Sequence, residues 1–173
     1  MLVVGRNLRD LVTTMELSPP ERFDENSIQL TLDDVVLVPR KLDRPIAYEV
    51  DHVDDFFEES KIGVEGLLLK SGQCALACSQ EVVRMPLGYF GFIQTKGSLA
   101  RLFCSLHMCD PQIEPGYEGK ITFELANHSP FDIVLRNAAR VGQLFVFRCS
   151  TSNSTPYSGR YNGAAKPTIY RPA

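Results

Sequence analysis

The chain of 173 residues lacks the features that mark membrane proteins and secreted proteins. No apolar run approaches the ~20 residues that a helix needs to cross a bilayer. The N-terminal stretch MLVVGRNLRDLV carries Arg6, Arg9 and Asp10 where a signal peptide would have its apolar centre. We therefore expect a cytoplasmic protein that has no contact with a membrane.

The sequence also lacks an excess of positive charge and a disulfide framework. Its 18 basic and 21 acidic residues give a net charge of -3, whereas non-specific nucleic-acid binding requires a basic surface. We expect no nucleic-acid partner, and any anionic ligand must meet a local cluster of cations. The five cysteines are odd in number and scattered, which indicates reduced thiols. Cys74 and Cys78 lie in one apolar run, which favours a pair of buried side chains over a metal site.

Short strand-like segments dominate the rest of the chain. Leu8, Leu11, Val12 and Met15 follow helical spacing and predict one helix over 6–16. The later segments alternate in polarity or are apolar throughout, and turn residues separate many of them. They predict strands at 28–32, 34–38, 46–50, 66–70, 74–79, 82–85, 89–95, 119–125, 131–135 and 142–149.

This pattern predicts a mainly β fold in a single domain, 1–173. Apolar residues make up 44% of the chain, enough for a buried core at this length. Many short strands at even spacing are typical of a sandwich or a distorted barrel of jelly-roll type. The C-terminal segment 150–173 is rich in Ser, Thr, Asn and Gly. It is either a loose end or an arm that orders over a ligand or a neighbouring subunit.

Two segments carry candidate chemistry. In KITFELAN, 120–127, alternation places Glu124 on the face opposite Ile121, Phe123 and Leu125. QTKGSLARLF contains a Lys-Gly-Ser triplet of a phosphate-binding kind, and a short helix is predicted near 97–104. Backbone N–H groups at the start of such a helix favour anions.

These segments and three others resemble the deoxycytidine triphosphate (dCTP) deaminases, which share a fold with the trimeric deoxyuridine triphosphatases (dUTPases). NSIQLTLDD is similar to the family's Ser-x-Asp-Leu-x-Leu strand, and GSLAR to its Ser-Ser-Leu-Ala-Arg segment. HMCDPQIEPGYEGKITFELAN follows the His…Ile-Asp-Pro-Gly-Trp-x-Gly…Glu-Phe-x-Asn stretch without a gap. VGQLFVF resembles Ile-Gly-Gln-Leu-x-Phe, and TPYSGRYNGAAKPTIY resembles the closing Pro-Tyr…Lys-Tyr-x-x-Gln arm. The resemblance covers nearly the whole chain and implies a dUTPase-like fold.

The resemblance implies an enzyme that deaminates dCTP to dUTP and ammonia. Glu124 falls on the family's catalytic glutamate, which takes a proton from water and returns it to the substrate. Arg101 falls on the arginine beside the reacting base. Lys96 and Ser98 fall on triphosphate-binding positions.

The remaining implied contacts surround the sugar, the base and the phosphates. Asp110 and Glu114 fall beside the deoxyribose and the base, and Gln143 lies in the matching strand. Tyr157 and Arg160 fall on arm residues that meet the nucleotide. A separate position, His107, matches a histidine linked to feedback inhibition by thymidine triphosphate.

The same resemblance implies no zinc and a homo-oligomer, with a trimer favoured. Zinc deaminases need an H-x-E…P-C-x-x-C pattern, and the sequence has neither a C-x-x-C nor a histidine in that context. We expect Mg²⁺ to enter only with the nucleoside triphosphate. Sites at subunit borders would allow Arg101 and Glu124 to come from different chains.

Four departures keep two other functions open. Gly97 replaces the first serine of Ser-Ser-Leu-Ala-Arg, and losing one transition-state hydrogen bond costs roughly 3–4 kcal/mol, or about 10²–10³ in rate. Ala164 replaces the arm's glutamine, and Asp110 replaces a small apolar residue. Lys96 replaces an arginine and loses a bidentate phosphate contact. The alternatives are a dUTP diphosphatase, with Glu114 activating water, and a non-catalytic nucleotide-binding or regulatory homologue.

Overall fold

The computed structural model describes residues 1–172, most of which lie in strands or the turns between them. The helix α1 (Gly5–Thr14) comes first, and a one-turn helix, α2 (Gly97–Ala100), follows the sixth strand. The strands are β1 (Ile28–Thr31), β2 (Val35–Pro39), β3 (Phe57–Lys61), β4 (Leu67–Leu69), β5 (Cys74–Arg84), β6 (Tyr89–Thr95), β7 (Cys104–Ser105), β8 (Gln112–Ile113), β9 (Glu118–Asn127), β10 (Ile133–Leu135) and β11 (Arg140–Arg148).

The strands within residues 1–172 form three open sheets. Their orders are β1-β11-β6-β8, β3-β2-β5-β9-β7 and β10-β4, with every pair antiparallel. Ile93 and Leu144 from the first sheet share one core with Phe123 and Leu125 from the second. The predicted mainly β, jelly-roll-like class is confirmed. No helix in this part of the chain has the length and apolarity required to cross a membrane.

One predicted strand, 46–50, is wrong. The carboxylate of Asp51 accepts the backbone N–H of Ala47 at 2.9 Å and pairs with Arg44 at 2.7 Å, which closes a turn. Glu49 takes a positive φ of 65° there. The strand that does pair with β2 is β3, whose mostly exposed FEESK sequence is typical of a charged edge strand.

The strands predicted at 74–79 and 82–85 are one strand, β5, with an irregularity between Cys78 and Val82. Glu81, only 2% exposed, explains it. Its carboxylate accepts the N–H of Thr31 at 2.9 Å and pairs with Arg22 Nε at 2.7 Å. A buried carboxylate held by these partners keeps the two halves of β5 out of regular register with β9.

The short helix predicted near 97–104 ends earlier than expected. Its last helical residue is Ala100, and Phe103 takes a φ of +57° before β7 begins. The helix predicted over 6–16 is confirmed at Gly5–Thr14. The residues that precede this helix pair with β11, since the N–H of Val3 donates to the carbonyl of Val146 at 2.8 Å.

The C-terminal segment docks on the chain's own β9. Gly163 donates to the carbonyl of Glu118 at 2.7 Å, and Lys120 donates to the carbonyl of Ala164 at 2.8 Å. A Cβ on Gly119, which has a φ of +150°, would lie 2.8 Å from the backbone of Ala164. Glycine therefore permits the close approach of this segment, which we call the arm (150–172).

Candidate functional site

A cavity of about 570 Å³ lies between β9, the loop before it and the arm. This volume is typical of a small-molecule site. The residues predicted to bind or transform a nucleotide that line it are Asp110, Glu114, Glu124 and Tyr157. Side chains that the sequence did not single out complete it, among them Phe57, Leu76, Thr122, Thr168 and Ile169.

Glu124 is held by backbone donors at the wall of this cavity. Its Oε2 accepts the N–H of Met108 at 2.7 Å and the N–H of Cys109 at 3.2 Å. Among residues 1–172, no donor reaches Oε1. Phe123 and Leu125 on either side are fully buried, so the predicted alternation is confirmed. One carboxylate oxygen is fixed and the other stays available to a ligand or water.

The loop that supplies these donors is itself anchored. Thr95 Oγ1 accepts the N–H of Leu106 at 2.9 Å, and Ser105 pairs with Ala126 of β9. The hydroxyl of Ser105 also donates to the carbonyl of His107. These bonds restrict the backbone from which Met108 points its N–H at the carboxylate.

The Glu114 turn and the arm meet at a close backbone contact. Gly116 has a φ of +87°, and a Cβ there would lie 2.5 Å from Pro156. Tyr157 donates its N–H to the carbonyl of Pro115 at 2.9 Å. Glycine at this turn therefore lets the arm bring the Tyr157 ring into the cavity beside Glu114.

Two tyrosine side chains line the cavity beside Glu114. The rings of Tyr117 and Tyr157 lie 6.0 Å apart, and the Tyr117 hydroxyl donates to the carbonyl of Lys120. Burial raises the pKa of both phenols. Both therefore remain protonated hydrogen-bond donors at neutral pH.

The candidate phosphate segment lies elsewhere on the chain. Lys96, Ser98 and Arg101 do not line the cavity of Glu124. Within residues 1–172, neither Lys96 nor Arg101 pairs with a carboxylate. Arg101 instead turns back and donates from Nη1 to the carbonyl of Gly97 at 2.9 Å. A Cβ on Gly97 would lie 3.1 Å from that nitrogen, so the missing serine side chain leaves room for this contact.

Three further predicted residues lie outside the cavity. Gln143 points from the outer face of β11 and donates to Ser27 Oγ at 3.1 Å. Arg160 lines a neighbouring cavity of about 510 Å³ under the arm and donates to the carbonyl of Arg171. His107 has a buried Nδ1 without a partner in the described part of the chain. Their roles toward a nucleotide stay predictions.

The interpretation of Cys74 and Cys78 as a buried pair is correct only for Cys78, because Cys74 is exposed. Burial raises the pKa of the Cys78 thiol to about 12, so this thiol stays protonated. Asp33 beside it pairs with Lys120 on the face of β9 that also carries Glu124. No group of three or more His, Cys, Asp or Glu residues within 1–172 is arranged to hold a metal ion.

Thr122 and Thr168 connect β9 to the arm at the cavity. Their hydroxyl oxygens lie 2.9 Å apart, and Thr168 donates its N–H to Thr122 Oγ1 at 3.1 Å. The alternation that identified Glu124 places Thr122 on the same face, so the sequence could have predicted that Thr122 lies at the site. The backbone N–H donors of Met108 and Cys109 could not have been predicted in this way, because any residue type can supply a backbone N–H.

Comparison with known proteins agrees with this arrangement. The family model for dCTP deaminase-like proteins matches residues 4–149. The chain belongs to the dCTP deaminase-like family. Two curated relatives named "dCTP deaminase, dUMP-forming", from Parafrankia sp. (strain EAN1pec) and Thermobifida fusca (strain YX), are each 31% identical to it. Each alignment covers 99% of this chain, with 90% of the first relative and 92% of the second.

A solved structure of the dCTP deaminase-like family shares the fold. The crystal structure of 2′-deoxycytidine 5′-triphosphate deaminase from Agrobacterium tumefaciens matches with a TM-score of 0.65 at 20% identity. The match covers 84% of this chain and 47% of that one, so this chain spans about half its length. The predicted family is confirmed, and the chain shares its mainly β fold with a dCTP deaminase.

Proposed function

We propose that this dCTP deaminase-like chain converts dCTP to dUMP, ammonia and pyrophosphate. The observation that carries the proposal is Glu124, with one oxygen fixed by two N–H groups and the other free in a nucleotide-sized cavity. The sequence predicted dUTP as the product. The name "dUMP-forming" of the relatives favours a second hydrolysis that removes pyrophosphate.

In the deamination step, Glu124 takes a proton from water, whose oxygen attacks C4 of the cytosine. The electron pair moves to N3, which gains the proton, and C4 becomes tetrahedral. Collapse of this carbon expels ammonia after a second proton transfer through the same carboxyl group. The balance is dCTP plus water to dUTP plus ammonia.

In the second step, Glu114 activates a water that attacks the α-phosphorus and displaces pyrophosphate. Asp110 and Glu114 line the same cavity as Glu124, which favours binding of the deoxyribose hydroxyl between the two sites. Tyr157 contacts the nucleotide from the arm. Arg160 lines the neighbouring cavity, so it reaches the nucleotide only if its side chain leaves the carbonyl of Arg171. Mg²⁺ enters with the triphosphate and is held by its oxygens.

The charge of the cavity supports a site completed by a second copy of the chain. Asp110, Glu114 and Glu124 line it, and no lysine or arginine among residues 1–172 does so. A triphosphate held against these carboxylates requires added cations. Lys96 and Arg101 of a neighbouring copy are suited to supply them, together with Ser98.

An apolar sheet surface supports the same association. Phe90 and Phe92 on β6 pair with Phe147 and Phe145 on β11, and these four side chains form the aromatic face. The Phe92 ring lies 5.1 Å from Phe90 and 5.7 Å from Phe147, and Phe92 remains 38% exposed. Contact between copies would remove this surface from water. We favour a homotrimer.

Separate measurement of ammonia and pyrophosphate tests the reaction. Purified protein is incubated with dCTP and, in parallel, with dUTP. Equal amounts of both products from dCTP support the proposal, whereas ammonia alone indicates that dUTP is released. Pyrophosphate from dUTP without ammonia from dCTP indicates a diphosphatase. Binding in a calorimeter without either product indicates a non-catalytic homologue.

A mixing experiment tests the shared site. Glu124→Gln and Arg101→Ala are each expected to be inactive, and subunits are exchanged by joint refolding. Random mixing in a ring restores about one quarter of the sites when the two residues come from different chains. No recovery, with exchange verified by mass, would place both residues in one chain and contradict this part of the proposal.

A further inference from the structure

We propose that Thr122 is a positioning residue for the nucleotide, because it fixes arm residues 168–170 over the cavity that contains Glu124. This inference rests on the proposed function, which places the nucleotide in that cavity. It is carried by the hydrogen bonds between Thr122 and Thr168, and by the greater exposure of the next contact along the arm.

Thr122 and Glu124 share one face of β9. They are two residues apart on a strand, so their side chains point to the same side of the sheet, and both line the cavity. Phe123 between them is fully buried on the opposite face. A segment that is bonded to the Thr122 side chain therefore lies over the same part of the sheet as the proposed catalytic carboxylate.

The segment bonded to Thr122 is the part of the arm that closes the cavity. Residues 168–170 line the cavity from the arm. The two hydroxyl oxygens of Thr122 and Thr168 lie 2.9 Å apart, and the N–H of Thr168 donates to Thr122 Oγ1 at 3.1 Å. Within residues 1–172, Thr122 has the only β9 side chain that hydrogen-bonds to the arm, since Glu118 and Lys120 use backbone groups.

The next contact along the arm is more exposed. The Tyr170 ring lies 5.4 Å from the ring of Tyr48, and the Tyr170 hydroxyl accepts the N–H of Glu49. Tyr48 is 74% exposed, so water competes for this contact, whereas Thr122 and Thr168 are half-buried. We infer that the end of the arm opens at Tyr170 while Thr122 keeps its hold on Thr168.

This arrangement separates nucleotide binding from the chemical step. The donors that fix Glu124 come from Met108 and Cys109, which do not belong to the arm. Loss of the Thr122 hydroxyl should loosen the arm over the bound nucleotide and leave the carboxylate in place. A change that weakens binding of the ground state and the transition state equally raises KM and leaves kcat unchanged.

Two substitutions isolate the hydroxyl of Thr122. Thr122→Val removes it and keeps a β-branched side chain that suits a strand. Thr122→Ser keeps the hydroxyl and removes only the methyl group. Thr13→Val is the matched control, because the exposed Thr13 hydroxyl also makes one hydrogen bond, to the carbonyl of Arg9 at 3.0 Å, and lines neither the cavity nor its neighbour under the arm.

Three measurements follow the arm, the binding and the reaction. Amide hydrogen exchange at Thr168 is measured without nucleotide, the Kd of dCTP in the Glu124→Gln background, and KM and kcat from ammonia release. In Thr122→Val we expect exchange, Kd and KM each to rise about tenfold, with kcat within about twofold. Thr122→Ser and Thr13→Val should leave all four values within about twofold of the parent chain.

The failure of this inference is distinct from the failure of the proposed function. Deamination of dCTP by Thr122→Val with an unchanged KM would overturn the inference and leave the function standing. Equal impairment of Thr122→Ser and Thr122→Val would also overturn it. Tyr48→Ala should leave exchange at Thr168 unchanged, and exchange as fast as in Thr122→Val would show that the outer contact holds the arm. If the parent chain releases no ammonia, the function fails, whereas a raised Kd in Thr122→Val still supports the inference.

Discussion

Replacement of Glu124 by glutamine removes the proposed base and keeps the shape of the side chain. The amide oxygen can still accept the two N–H groups that now reach Oε2 from Met108 and Cys109. Only the ability to take a proton from water is lost. General-base catalysis contributes about 10²–10⁴ in rate, and we expect ammonia release to fall by that factor.

The same two hydrogen bonds predict a measurable loss of stability. Each changes from a charged acceptor to a neutral one, which costs on the order of 1 kcal/mol. The free energy of unfolding should therefore fall by about 1–2 kcal/mol. For a chain of this size, that loss lowers Tm by about 2–8 °C and leaves the protein folded at 25 °C.

Glu118→Gln is the matched control on the same strand. Glu118 is exposed and pairs with Arg84 at 2.9 Å on the surface, so its loss should change neither rate nor Tm appreciably. Ammonia release is followed under saturating dCTP, and unfolding by circular dichroism. A Glu124→Gln chain that keeps the full rate would refute the assignment of the base.

Three other predictions concern the phosphate segment, a half-buried ion pair and the sheet surface. Gly97→Ser should push the Arg101 guanidinium off its carbonyl and raise ammonia release at least tenfold, measured as kcat with dCTP; an unchanged rate would mean that the missing hydroxyl is not limiting. Burial alone would raise the pKa of Asp33. The hydrogen bond and the charge of Lys120, together with hydrogen bonds from the Asp34 backbone and Cys78, outweigh burial and lower this pKa. Asp33→Asn should therefore lose stability in urea at pH 7, where the pair is intact, and the difference from the unaltered chain should shrink as pH falls below about 4 through the folded-state pKa. Phe92→Lys should yield monomers in light scattering and abolish activity, and an active oligomer of this variant would show that the aromatic face is not the interface.

The sequence predicted the fold best where one face of a strand is buried. Phe123 and Leu125 alternate with Glu124, and β9 follows that alternation. β3 was missed because an edge strand with the sequence FEESK has no buried face to reveal it. The false strand at 46–50 arose because the ion pair of Arg44 with Asp51, which closes the turn, leaves no local trace in the apolar pattern.

The sequence predicted the side chains of the candidate site but not the backbone groups that hold them in place. Glu124, Glu114 and Tyr157 were named from the resemblance and line one cavity. The backbone N–H groups of Met108 and Cys109 point at Glu124 because of the path of the loop before β9. No residue type in the sequence specifies that path. A single copy of the chain leaves Arg101 outside the cavity, so the role proposed for it requires an assembly that one sequence cannot specify.

The docking of the arm has a consequence for solubility. Along one side β9 pairs with β5, but on the other side β7 covers only Ala126 and Asn127. The arm fills part of the remainder with two strand-like backbone bonds, at Glu118 and Lys120. An unpaired strand edge invites pairing with another chain. Removal of the arm would thus leave an unpaired strand edge that favours aggregation, and it would also open the cavity. We expect a truncated protein to aggregate before its activity can be measured.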